Sequence, residues 1–259
     1  MPRLQSECDC YHIYSRGSGR QIIFEDDEDR CAFLDALAKA LTKADAELFA
    51  FCLMGTHYHL VVRSGYESLP ALGYSLNRSY AGYFNDRHDR SGHLFQDRYC
   101  SQPINGDEHL LAAIRYVHRN PVEANMSKTC SYPWSSFECY CQHGELEGKH
   151  MAGGTAFVPV STNLVLDMLG SVSAFIDFHM HSGKETFLDD YPSLSQLSET
   201  EMVGIARTLL GTDPSELKSL AIPDRNQSLR LLKTANFTLS QIAILTGISR
   251  SVVGRACQL

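Results

Sequence analysis

Long apolar runs are missing from this chain of 259 residues. No stretch approaches the roughly 20 apolar residues that a bilayer-crossing helix needs, so no membrane partner is expected. The first residues lack the basic and apolar segments of a secretory signal, which makes the cytoplasm the expected location. Internal repeats and low-complexity blocks are absent too, leaving the composition of an ordinary folded protein, 44% hydrophobic and 20% charged. Positive charge is in short supply: 23 Lys/Arg stand against 30 Asp/Glu, a net −7. Spread evenly, that balance would argue against a nucleic-acid partner. Cysteine is not scarce, but nine is an odd number, and a secreted disulfide scaffold uses an even set in a much shorter chain. Cys8/Cys10 and Cys139/Cys141 form C-x-C pairs rather than the usual zinc spacing, so reduced structural thiols are expected, with a zinc site as the alternative.

The charge is uneven. Residues 1–140 hold 14 Lys/Arg and 18 Asp/Glu, residues 141–223 hold 4 and 11, and residues 224–259 hold 5 and 1. The balance therefore runs from −4 through −7 to +4. These shifts suggest a first domain at 1–140, an acidic linker with some helices at 141–223, and a basic C-terminal unit at 224–259.

Periodicity orders the elements. Residues 10–24 alternate as a bent strand with an irregular end. Glu25 to Asp29 place negative charge at a helix N-terminus, and Phe33, Leu34, Leu37, Ala38 and Leu41 form the apolar stripe of that helix. Leu48–Met54 and the run around His57 predict a hairpin through Gly55-Thr56. A second helix spans Ser68 to about Asp86, carrying Tyr74, Tyr80, Tyr83 and Phe84; such aromatics ordinarily pack a core, though they can also stack on bases. A partly extended segment, His93–Ile104, precedes a third helix that opens at Gly106-Asp107 and should stop at Pro121. The order β-α-β-β-α-β-α is that of an α+β, ferredoxin-like sheet with its helices on one face.

The C-terminal residues predict helices over Ser228–Ala235, from Thr238 through Leu245, and from Ser249 through Cys257. Ile242, Ala243, Ile248 and Val253 fall where a helix-turn-helix needs small or apolar packing. Arg250 and Arg255 lie on the helix that such modules place in the major groove of duplex DNA. A three-helix bundle used for protein contact is the other reading.

The chemistry centres on His57-Tyr58-His59. Strand side chains alternate faces, so His57 and His59 point the same way and can share a divalent metal. On spacing alone, two packed structural histidines remain open as well. His179-Met180-His181 repeats the spacing in a helical context, where positions i and i+2 diverge, and is expected to be structural or solvent-exposed. In the third helix Leu110, Ile114 and Val117 define a buried stripe. Tyr116 and Asn120 lie beside it as i, i+4 neighbours able to address one point. Arg119 is either a phosphate contact or a solvated charge.

Four segments then carry a specific resemblance: Gly55-Thr56-His57-Tyr58-His59-Leu60-Val61-Val62, Gly92-His93-Leu94-Phe95-Gln96-Asp97-Arg98-Tyr99, Tyr116-Val117-His118-Arg119-Asn120-Pro121-Val122-Glu123-Ala124 and Tyr132-Pro133-Trp134-Ser135-Ser136-Phe137. In order and spacing, residues 10–140 resemble the single-tyrosine HUH transposases, most of all their REP-associated tyrosine branch. The resemblance implies a ferredoxin-like nuclease that works with Mg²⁺ or Mn²⁺. Its substrate would be single-stranded DNA bearing a hairpin, such as repetitive palindromic elements. It would act as a monomer or a homodimer. His57 and His59 match the two metal-binding histidines, Tyr116 the nucleophile and Asn120 the amide ligand. Tyr58 departs from the bulky apolar residue usual between the histidines. Attack by Tyr116 would leave a 5′-phosphotyrosine and a free 3′-OH that permits rejoining. Two other classes remain: a DNA-binding regulator or host factor that uses the C-terminal helices without catalysis, and a metallohydrolase in which Tyr116 is structural.

Overall fold

Alternation along Cys10–Arg16 produces the first strand, β1, of a four-stranded sheet in the computed structural model, which describes residues 4–142, 158–181, 187, 199–235 and 237–257. The elements that follow are α1 (Asp27–Ala44), β2 (Glu47–Met54), β3 (His57–Arg63), α2 (Leu69–Arg87), β4 (Cys100–Ile104) and α3 (Asp107–Glu123). The acidic run does what its charge suggests. Asp26 caps α1 by accepting the Asp29 N–H at 3.1 Å, and Asp27, Glu28 and Asp29 occupy the first turn, where the helix dipole favours them. The strand order β2-β3-β1-β4, antiparallel throughout, is the expected ferredoxin-like topology.

The helices do not share one face, however. Tyr58 turns toward α1 and α2: its ring lies 4.7 Å from that of Phe33, and its hydroxyl donates to Asn77 Oδ1 at 2.6 Å. His57 and His59 necessarily turn the other way, and there they meet α3. The reason lies in the strands themselves. Both alternating sets of β1 and β3 are buried, so a single helical layer would leave half of the sheet's apolar and aromatic surface in water.

Pro121 corrects a second expectation. It sits inside α3, which continues to Glu123. So near the helix end, its missing N–H costs a single ladder bond. The chain still closes with Ala124 N–H donating to the Asn120 carbonyl at 3.0 Å and Met126 N–H to the Pro121 carbonyl at 2.8 Å.

The outer edge of β2 is covered rather than free. Leu53 N–H donates to the Trp134 carbonyl at 2.9 Å, Ser136 N–H to that of Phe51 at 3.0 Å, and Ser161 N–H to that of Leu48 at 2.8 Å. Beyond this edge come α4 (Phe137–Cys141), α5 (Asn163–Leu169) and α6 (Val172–Met180), and α6 packs on α3 and α4. Residues 1–186 form one unit, so α5 and α6 belong to it although they lie in the acidic stretch. All nine cysteines are free thiols.

Residues 187–259 form the second unit. It contains α7 (Glu199–Leu210), a 3₁₀ turn at Pro214–Ser219, α8 (Ile222–Thr234), α9 (Leu239–Thr246) and α10 (Arg250–Ala256). Its core joins Ala206 and Leu217 to Leu229, Leu232, Phe237, Ile242, Leu245, Ile248 and Val253, so packing begins upstream of residue 224. The first of the three predicted helices starts at Ile222 rather than Ser228, with Pro223 in its first turn. Thr238 and Gln241 form a reciprocal capping box on α9, and Gly247 ends that helix in the left-handed conformation at φ 60°.

One close approach in the first unit gives a direct check. A Cβ at Gly73 would stand 2.0 Å from the ring of Tyr99, whose hydroxyl is anchored on the Leu69 carbonyl at 2.7 Å. Gly73→Ala should therefore destabilise the fold by about 1–3 kcal/mol through overpacking, read as a lower urea midpoint. An unchanged midpoint would show that the ring moves aside freely.

Candidate active site

The antiparallel register assembles a cluster of histidines from strands distant in sequence. Across β1 and β3, Tyr14 stands opposite His59 and Arg16 opposite His57. The imidazoles of His57 and His59 lie on one face with ring centroids 5.1 Å apart. Their neighbour His12, two residues before Tyr14 and so on the same face, brings its Nε2 to 3.1 Å from His59 Nδ1. From above, α3 lays Tyr116 edge-on against both rings, with centroids 5.8 Å from His12 and 5.9 Å from His59. One turn later Asn120 Oδ1 reaches to 3.4 Å from His57 Nε2, while Thr56 Oγ1 holds His57 Nδ1 at 3.0 Å.

The four expected residues therefore meet at one place. His12 and His59 are buried; His57, Tyr116 and Asn120 are half-buried. Burial pushes His59 well below the usual imidazole range, helped by the neighbouring His57 and by the Arg16 guanidinium. A neutral imidazole keeps a nitrogen lone pair, the form in which histidine binds a cation. His12 engages His59 at Nδ1, and a partner on that side fixes the orientation of the ring.

The remaining candidates have other surroundings. Arg119 is held at both ends: it donates to Glu123 Oε1 at 3.0 and 3.2 Å and to the His179 carbonyl at 2.8 Å. It staples α3 to α6, and a phosphate contact would have to displace these bonds. Arg250 and Arg255 are exposed on α10. In the second H-x-H sequence, His179 Nδ1 donates to the Phe175 carbonyl at 2.8 Å and His181 Nδ1 lies 3.1 Å from the Asp177 carbonyl. Each ring serves its own helix end, the structural role expected of that copy. Among the described residues no group of three or more His, Cys, Asp or Glu is placed to hold a metal ion, here or elsewhere.

Sequence reasoning missed two features. The first is His12, whose only signal is its even spacing from Tyr14 and Arg16 on β1. The second lies between Tyr116 and Asn120. His118, fully buried, begins a hydrogen-bond chain whose direction can be deduced throughout. His179 Nδ1 faces a carbonyl and must carry hydrogen, so its Nε2 accepts from His118 Nδ1 at 3.1 Å. His118 Nε2 then accepts from the Ser136 hydroxyl at 2.7 Å, and Ser136 Oγ accepts the Phe51 N–H at 2.9 Å. The chain links α6, α3, the segment before α4, and β2. It fixes the rotation of α3 about its axis, and with it the heading of Tyr116 and Asn120.

Comparison with known proteins bears on the same stretch. The family model for IS200-like transposases matches residues 6–120, which include both histidines of the pair, Tyr116 and Asn120. Those residues are an IS200-like transposase domain. Over that stretch the match supports a transposase-like, DNA-processing role. No curated protein matches the sequence. A solved REP-associated tyrosine transposase bound to a REP hairpin is similar with a TM-score of 0.48 and 15% identity, over 62% of this chain and 98% of that one. A candidate transposase from Deinococcus radiodurans R1 gives a TM-score of 0.33 and 20% identity, over 45% of this chain and 87% of that one. Among the described residues no helix is long and apolar enough to cross a membrane.

The buried chain makes the first unit acid-sensitive in a defined window. Burial holds His179 down to about 4, outweighing its bond to Phe175, against about 6.5 when unfolded. The unfolded state therefore binds the extra proton first, so this part of the stability is complete above pH 6.5 and drains away as pH falls toward 4. The slope should reach about 1.4 kcal/mol per pH unit from this residue. His179→Leu should flatten the urea-stability profile across that window. A profile equally steep in the variant would show that His179 carries none of it.

Proposed function

We propose that the transposase domain nicks and rejoins single-stranded DNA, with Tyr116 as nucleophile and a divalent cation, Mg²⁺ or Mn²⁺, held by His57, His59 and Asn120. The observation that carries this reading is the meeting of Tyr116 and Asn120, from one helix, with both histidines of β3. The donor set fits a metal. His57 Nε2 and Asn120 Oδ1 stand 3.4 Å apart, and neighbouring ligands around an octahedral Mg²⁺ lie ~3 Å apart. His59 is neutral and backed by His12, the arrangement that orients a metal-binding imidazole. When bound, the cation supplies Lewis-acid polarisation of the scissile phosphate.

The side chains account for the rest. A phenol with its ordinary value near 10 attacks poorly unless the developing charge is stabilised where it forms. Tyr116 is confined between His12, His59 and the body of α3, so its direction of approach is limited. Attack of its oxygen on phosphorus forms the Tyr–O–P bond and breaks the P–O3′ bond. The phenolic proton leaves, and the departing 3′ oxygen takes one up to become a 3′-OH. The DNA 5′ end stays on the protein as a phosphotyrosine, and a later 3′-OH can reverse the step. A hairpin-bearing substrate follows from the resemblance to the REP-associated branch. Histidines and tyrosine come from one chain, which supports a site complete within a monomer. For residues 224–259 we read a helix-turn-helix, with Arg250 and Arg255 on its exposed face meeting duplex DNA.

The test is covalent capture. With Mg²⁺ or Mn²⁺, a 3′-labelled hairpin oligonucleotide should become attached to the protein in a denaturant-stable form, and EDTA should prevent it. Tyr116→Phe should abolish the adduct while leaving affinity within about twofold; an adduct persisting in that variant removes Tyr116 from its role. His12→Ala should raise the metal concentration needed by about 10–100-fold. An unchanged metal requirement would make His12 a packing residue only. A regulator without catalysis would instead bind duplex DNA through residues 224–259 and give no adduct.

A further inference from the structure

On the sheet face away from the histidines, α2 and the loop 92–99 enclose a groove of about 850 Å³. Its floor is apolar, formed by Leu94, Phe95 and Tyr99, all buried. Of the four aromatics of α2, Tyr80 and Phe84 go into the core and Tyr83 is half-buried. Tyr74 stays outside the core. It is 62% exposed, and among the described residues it is the one Phe, Tyr or Trp ring standing mostly in solvent. Arg78, one turn further, donates to the Tyr74 hydroxyl at 2.7 Å and lies 5.8 Å from the ring centroid, which steadies the ring at the groove's mouth. Arg98 lines the same groove, and neither arginine is paired with a carboxylate among the described residues. Asp97 is the one acid in the lining.

The groove is also tied to the candidate active site. Gln96 N–H donates to the Arg16 carbonyl and Ser18 N–H to that of Leu94, both at 2.9 Å, and Arg16 stands opposite His57 in the sheet. A strand leaving the site past the end of β1 would thus meet this loop.

An exposed ring, an apolar floor and two guanidiniums without carboxylate partners are the chemistry of a surface for flat, anionic ligands. We propose that the groove takes unpaired nucleotides of the single strand that leads away from the site, Tyr74 stacking on a base and Arg78 and Arg98 meeting phosphates. This rests on the single-strand reading of the domain but not on Tyr116 chemistry.

The test is therefore run without metal, on the full chain, with fluorescently labelled oligothymidine as probe. Tyr74→Ala should weaken binding about tenfold, as loss of one stacked base does, and Tyr74→Trp should keep it. Arg78→Ala with Arg98→Ala should weaken binding and shallow its salt dependence, each lost phosphate contact lowering the slope by about 0.7. Oligothymidine carrying 5-iodouracil should photocrosslink to the peptide that contains Tyr74. All three side chains are exposed, and circular dichroism verifies that the variants fold. Absent binding by the wild type, unchanged affinity in the variants, crosslinks confined to other peptides, or equal Tyr74-dependent binding of polyglutamate would each overturn the proposal. Failure of covalent capture with a positive result here would instead remove the catalytic reading and leave the groove in place.

Discussion

The transposase domain depends on how α3 is seated across the histidine face of the sheet. A helix resting on a sheet through apolar contacts alone can slide or roll at little cost, because such contacts have no preferred direction. Hydrogen bonds do have one. The buried chain from the Phe175 carbonyl through His179, His118 and Ser136 to the Phe51 N–H runs through α3 midway between Tyr116 and Asn120. Every member is satisfied by the next, and breaking any link would strand a polar group away from water. Arg119 adds a second tie to α6. Part of the candidate site's geometry is therefore set by α6, which lies outside the residues matched to the transposase family.

The sheet separates two tasks between its faces. Toward α1 and α2 it buries Phe33, Tyr58, Tyr80 and Phe84 in an aromatic core, with the Tyr58 hydroxyl satisfied by Asn77. Toward α3 it buries histidines that bond to one another, His59 among them kept neutral. Strand alternation makes this division automatic: in His57-Tyr58-His59 the outer residues serve one face and the central tyrosine the other. Tyr58 is thus a core residue, and a polar partner on α2 makes its hydroxyl compatible with burial.

Relations set by short-range periodicity are legible in the amino-acid order alone. The period of two on a strand brings His57 and His59 to one face, and the spacing of four on a helix brings Tyr116 beside Asn120. The acidic cap of α1 and the cap of α9 at Thr238 are readable for the same reason, since they act within a few residues. Pro121 misleads because its cost depends on how near the helix end it stands, and that end is fixed by packing. Arg119 stays ambiguous in the sequence because its partner at His179 is far along the chain.

What the sequence by itself determined is therefore the set of elements, their order, and the pairs of side chains that must travel together, because backbone periodicity and local hydrogen bonding act over a handful of residues. Tertiary structure alone decided that α3 would cover the sheet's second face, that His12 would stand behind His59, and that His118 would reach across to His179 and Ser136. These contacts join residues separated by many turns of chain. No local rule orders them; only the packing of all the buried surfaces at once makes one arrangement lower in free energy than the rest.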